Sequence, residues 1–190
     1  MISKHALISW LRPGLVGILA LGLAGLAVAE RGVPAANGIL NFGQVDDRIY
    51  RGAQPDTIAI ENLKKLGVRS LVDLRMPGEG VAREAAAARS AGLVHTNIAL
   101  RGFSRPTPAQ INAALACLTN LPAPIFVHCE HGCDRTGTLI ACYRIAHDQW
   151  RETNALHEAE VYGISRLEKG MRQYIIDFAR SRHPEPAKAP

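Results

Sequence analysis

The sequence predicts a single α/β domain with a mixed, mainly parallel central sheet flanked by helices. Short apolar runs rich in β-branched residues alternate with stretches of helical periodicity. From Arg135 onward the pattern is helical only. A chain of 190 residues with 47% hydrophobic and 21% charged residues suits one domain with a sizeable core.

The strands are expected at 44–50, 68–74, 94–100 and 124–128. Helices are expected at 57–66, 81–91 and 108–118, the last opened by a capping box, Thr107 with Gln110, and by proline at the first helical position. Three more follow at 138–149, 153–162 and 167–181, and Pro184 and Pro186 mark a frayed tail over 183–190. The domain is therefore placed at 41–182.

Residues 1–29 are expected to lie outside that domain. Lys4 and Arg12 precede an unbroken apolar run over 14–29 that closes on Ala27-Val28-Ala29, the grammar of a signal peptide. A run of 16 apolar residues falls short of the ~20 a spanning helix needs. An uncleaved membrane anchor is the alternative, and it is the one route to a membrane. Residues 30–40 carry Gly and Pro without periodicity and are expected to be a linker.

The formal charge is +5, and Lys4 and Arg12 are the only charged residues before Glu30, so the remainder carries +3. Mild basicity suits an anionic substrate. No run of Lys and Arg with interleaved aromatics marks a nucleic-acid interface.

Chemistry concentrates at 123–138, where an apolar strand runs through a short polar loop into a helix. Such junctions at strand C-termini are where open α/β sheets bind ligands. Unpaired N–H groups at the helix start attract an anion, and Gly132 lets the loop curl so that further N–H groups converge. The loop residues Glu130, His131, Gly132, Cys133, Asp134, Arg135 and Thr136 form the expected phosphate cradle. Arg135 adds a planar fork able to grip two phosphate oxygens. The same positive features stabilise a thiolate at Cys129.

The stretch His128-Cys129-x5-Arg135-Thr136-Gly137 resembles the active-site signature of the cysteine-dependent protein tyrosine and dual-specificity phosphatases. Residues 42–55 look like the opening strands of small bacterial and fungal members, and 71–75 like their next core strand; the resemblance covers 42–179. It implies a phosphatase-type fold and hydrolysis of phosphomonoesters without metal or cofactor. By that resemblance Cys129 attacks phosphorus to form a phosphocysteine, Arg135 steadies the transferring group, and Thr136 supports the thiolate. The implied partner is a phosphorylated protein or a small phosphate ester.

The family's general acid, an Asp about thirty residues before the nucleophile, is missing. The corresponding stretch, 101–107, has no carboxylate, and none lies between Glu84 and Cys129. Asp134 is the candidate substitute, since the Asp-Arg pair resembles the loops of myotubularin-type and Sac-type lipid phosphatases. A salt bridge or helix cap is its other reading; Glu130, His131 and Asp73 are further candidates for the acid. Arg101 and Arg105 are candidate substrate contacts, with a solvated loop as the alternative.

Other readings stand beside this one. His128, Cys129, His131 and Cys133 are too crowded, without a second spaced pair, to favour zinc. Cys129 could pair with Cys133 or Cys142 in an oxidising compartment, as a bridge or a reversible off-state. Cys117, Cys142, Trp150, Tyr143 and Tyr162 are expected in the core. Within the enzyme class the runner-up substrate is an inositol phosphate or phosphoinositide, against which Glu130 at the mouth counts. From another class, the rival is a non-catalytic phosphate-binding module, although such a module needs no nucleophile.

Overall fold

The computed structural model describes residues 32–182. The expected signal segment and the expected tail over 183–190 lie outside these residues, and no helix within them is long and apolar enough to cross a membrane.

Five strands form one sheet: β1 (Gly43–Gln44), β2 (Ile49–Gly52), β3 (Ser70–Asp73), β4 (Val94–Asn97) and β5 (Ile125–His128). Their order is β1-β2-β5-β3-β4, with β1 antiparallel to β2 and the other pairs parallel. This is the mixed, mainly parallel sheet the sequence predicts. Parallel strands bring the C-terminal ends of β2, β5, β3 and β4 to one edge, and the loops beginning at residues 53, 129, 74 and 98 meet there.

Six helices cover the two faces. Helices α1 (Thr57–Lys65) and α2 (Glu79–Ser90) lie on one side, where Ile60, Leu63, Ala88, Leu71 and Phe126 build a core. On the other side α3 (Pro108–Asn120), α4 (Asp134–Ala146), α5 (Glu152–Val161) and α6 (Lys169–Arg182) enclose the larger core around Ile49, Val127, Leu139, Ile140 and Ile175. Tyr143 and Cys142 are buried in that core, and Trp150 and Cys117 pack against it half-buried. Helix α4 is enclosed on nearly every side, since Thr136 through Tyr143 are all buried. Its apolar surroundings fix the position of its first turn, which is the end of the loop that carries the chemistry.

Local chemistry sets the boundaries. Asp56 caps α1 by accepting the Ala59 N–H at 2.7 Å, and the Thr107–Gln110 capping box opens α3 as expected.

Three expectations change. The strand at 44–50 is split, because Asp46 Oδ1 accepts the N–H groups of Arg48 and Ile49, both at 2.8 Å, and turns the chain between β1 and β2. Helix α4 begins at Asp134 rather than at residue 138: Gly137 N–H donates to Cys133 O at 2.7 Å and the Thr138 hydroxyl to Asp134 O at 2.8 Å, so Thr-Gly continues the turn instead of breaking it. Part of the expected linker is packed. Ile39 is 1% exposed in the core beside α1 and bridges back to Ala36, and Leu40 O accepts the Ala53 N–H at 2.8 Å.

Candidate active site

Cys129 follows the central strand β5, and the loop from Cys129 to Cys133 runs directly into α4. Donors from surrounding elements take the carbonyl of His128, at the end of β5, and three carbonyls within the loop. Leu74 N donates to His128 O at 2.9 Å and Gln54 N to Glu130 O at 3.2 Å. Asn41 Nδ2 donates to His131 O at 2.9 Å, and Arg51 Nη2 to Gly132 O at 3.0 Å. In a trans peptide the N–H points opposite its carbonyl, so tying the carbonyls outward turns the intervening N–H groups to the inner side. Together with the N-terminus of α4, they form a concave arrangement of the kind suited to an anion.

Gly132 is required by both conformation and space. Its φ is +70°, and a Cβ there would lie 2.5 Å from Gly52 C and 2.6 Å from Gly52 O.

The loop residues divide between floor and mouth. Cys129 and Cys133 are 2% and 3% exposed, whereas Glu130 and His131 face solvent. Arg135 lies half-buried with Nη2 3.7 Å from Glu130 Oε2, an ion pair longer than a hydrogen bond. The Thr136 hydroxyl is buried with no hydrogen-bond partner. Asp134, in the first turn of α4, accepts the Ser165 N–H through Oδ1 at 2.7 Å. That bond ties the loop to the connection between α5 and α6.

Behind the loop sits a buried polar cluster that the sequence reading did not assemble. His128 Nε2 lies 2.7 Å from Glu84 Oε1, and His95 Nε2 lies 3.4 Å from the same oxygen. Arg75 Nη2 bridges Glu84 Oε2 at 2.6 Å and Asp73 Oδ2 at 2.7 Å. Burial alone would raise the Glu84 pKa, but the His128 hydrogen bond, His95 close beside it and the charge of Arg75 pull it down to about 2. Asp73, Glu84 and His128 are close enough together to hold a cation, yet the Arg75 guanidinium already lies between the two carboxylates.

The zinc alternative loses its geometry here. His128 turns its Nε2 to Glu84 and is fully buried, while His131 faces solvent, so the two histidines diverge. All four cysteines are free thiols, and burial pushes the Cys142 thiol far above the ordinary range.

The 101–107 loop holds no carboxylate of its own. Phe103, 80% exposed, donates its N–H to Glu168 Oε1 at 3.0 Å. Arg105 pairs with Asp177 at 2.8 Å and lies over the Tyr174 ring, so its guanidinium is anchored to α6; Arg101 is exposed.

Asn41 and Arg51 went unnoticed in the sequence because each meets the loop 80 to 90 positions further on. Arg51 lies in the segment 42–55 that carried the family resemblance and Asn41 just before it, but neither offered a spacing signal for a shared site.

Comparison with known proteins agrees with this geometry. The family described as "DSP-PTPase phosphatase fused to NAD+ Kinase" matches residues 30–174. The dual specificity protein phosphatase TpbA of Pseudomonas aeruginosa is 27% identical over 169 residues, covering 83% of this chain and 74% of that protein. The inositol diphosphatase DSP5 of Arabidopsis thaliana is 29% identical over 152 residues, covering 73% and 69%. Among solved structures, P. aeruginosa TpbA in complex with pTyr superposes with a TM-score of 0.65 at 20% identity, covering 84% of this chain and 99% of that one. The chain belongs to the DSP-PTPase family and is a cysteine-dependent hydrolase of the protein-tyrosine-phosphatase type.

Proposed function

We propose that the chain hydrolyses phosphotyrosine-type phosphomonoesters, with Cys129 as nucleophile and Arg135 as the phosphate clamp. The supporting observation is the loop itself: its carbonyls are tied outward, Cys129 stands at its start and Arg135 at its end. Cys133 lies in the same loop, but Cys129 is the cysteine that follows the strand and precedes the arginine by six positions.

In the first step Cys129 Sγ attacks phosphorus and the ester P–O bond breaks, leaving a phosphocysteine. The departing oxygen takes a proton from Asp134, the one carboxylic acid inside the loop besides exposed Glu130. In the second step water attacks phosphorus, the P–S bond breaks, the thiolate returns and Asp134 recovers the proton. The loop N–H groups and Arg135 hold the three equatorial oxygens throughout. The buried hydroxyl of Thr136, without another partner, is suited to hydrogen-bond the thiolate.

A protein or small aryl ester is the first substrate class, in keeping with the pTyr complex of TpbA. An inositol phosphate is the second reading, favoured by the likeness to the Arabidopsis inositol diphosphatase and opposed by the exposed Glu130 carboxylate at the mouth. Residues 1–29 are read as an export signal, which would deliver the domain to the periplasm or outside the cell.

The test is hydrolysis of p-nitrophenyl phosphate by the chain from residue 30 onward, with reductant and chelator. Activity should vanish in Cys129→Ser and Arg135→Ala and survive in Cys133→Ser. Activity lost through Cys133 instead of Cys129 would overturn the assignment, and phosphate binding without hydrolysis would favour the binding module.

A further inference from the structure

Arg51 on β2 is 1% exposed, enclosed by the sheet, the first turns of α4 and the end of α5. Its guanidinium carbon lies 3.7 Å from the centroid of the Tyr162 ring, and Nη2 reaches 3.0 Å to Gly132 O. Nε and Nη1 are buried without a hydrogen-bond partner. Glu158, the acidic side chain that acts most on it, is held elsewhere: its two oxygens accept from Arg144 at 2.9 and 3.3 Å. Burial lowers the Arg51 pKa to about 10, so it remains charged at neutral pH.

A buried cation without a matched anion is costly, and removing an ion from water is compensated only by close opposite charge. From the loop side the sulfurs of Cys129 and Cys133 lie close enough to act on Arg51, whose Nη2 already reaches the loop at Gly132 O, 3.0 Å away. The charge therefore stands beneath the cradle, facing the place where a thiolate and a phosphate would bring negative charge. The carbonyl that Arg51 holds belongs to Gly132, the residue of positive φ at which the loop curls.

We propose that Arg51 is a positioning residue of this site, a second cation that locks the Gly132 carbonyl outward and favours negative charge at Cys129 and in the cradle. It acts from behind the loop and does not touch the phosphate, unlike Arg135. The inference rests on the reading of Cys129 as nucleophile.

The test compares Arg51→Met and Arg51→Lys with wild type, using alkylation of Cys129 by anionic iodoacetate and by neutral iodoacetamide, read by peptide mass spectrometry. The ratio of the two rates reports the local charge, which a purely structural role would not move. Arg51→Met should lower the ratio about tenfold, the change expected for losing one unscreened charge a few ångströms away, and weaken protection by inorganic phosphate similarly. Arg51→Lys should keep the ratio within about twofold of wild type while phosphate protects less well, because lysine keeps the charge and loses the fork. A folded Arg51→Met variant with unchanged ratio and protection overturns the proposal. If Arg51→Met does not fold, a tenfold loss of the ratio in Arg51→Lys overturns it. Neither readout needs turnover, so a chain that shows the Arg51 effect but hydrolyses nothing loses the phosphatase reading and keeps this one.

Discussion

Asp134 Oδ1 accepts the backbone N–H of Ser165 at 2.7 Å, so the residue proposed as general acid is also the strut between the loop and the α5–α6 connection. A structural tie to that connection, which caps no helix, and the proposed acid role thus meet in one side chain. Proton transfer from a positioned group is worth about 10²- to 10⁴-fold.

Asp134→Asn separates the two roles, since the amide oxygen still accepts from Ser165 while no proton can be donated. Hydrolysis of alkyl phosphates should fall by about 10²-fold or more, and that of p-nitrophenyl phosphate by less than about tenfold. Rates for both substrates, with a thermal melt to verify the fold, decide it. Equal slowing of the two esters would leave Asp134 only its structural role.

Gly132→Ala should disable the site without touching a chemical group. The added Cβ meets Gly52 and Ala53 backbone at 2.5 to 2.7 Å, where neither neighbour can yield without moving β2, and the φ of +70° adds strain. The loop should rotate, breaking the Arg51 bond to Gly132 O. Expected losses are about 2 kcal/mol of stability and at least tenfold in phosphate affinity, measured by denaturant titration and calorimetry.

The sequence made the loop legible because its parts are contiguous: strand, Cys129, Gly132, Arg135 and helix fall within sixteen residues. The helices were legible from periodicity and from the Thr107–Gln110 box. What escaped is built from side chains that act across the fold. Asp46 split a strand by accepting two local N–H groups, Ile39 drew a Gly- and Pro-bearing stretch onto the core, and Arg51 and Asn41 reach the loop across 81 and 90 positions. Periodicity reports which face of an element is apolar, and it carries no information on such polar reach.

Glu84 should make the domain acid-sensitive in a defined window. Its pKa is lowered to about 2 from an ordinary 4.5, so it stabilises the fold fully above about pH 4.5 and loses that contribution as pH falls through about 2. The upper bound is about 3 kcal/mol. Glu84→Gln should have a lower urea midpoint at pH 7, and the gap to wild type should narrow between pH 4.5 and pH 2. A gap independent of pH would assign the effect to packing rather than to the His128 and Arg75 contacts.

Glu130 sets the charge at the mouth, and its substitution tests which phosphate esters the site admits. The carboxylate lies 3.7 Å from Arg135 Nη2 and is 56% exposed on its side chain, so a phosphate at the proposed clamp would meet a nearby negative charge as well. Exposed charges interact weakly and are screened within about 10 Å at 0.1 M salt, so the expected effect on a monophosphate is small, about two- to threefold in KM for Glu130→Gln. A head group carrying several phosphates feels the same carboxylate several times over. Glu130→Lys should therefore improve kcat/KM for an inositol polyphosphate by more than about tenfold and leave p-nitrophenyl phosphate within about threefold, with the gain shrinking at high salt. If wild type already prefers the inositol polyphosphate and Glu130→Lys adds nothing, the mouth does not discriminate by charge, and the inositol reading displaces the aryl one.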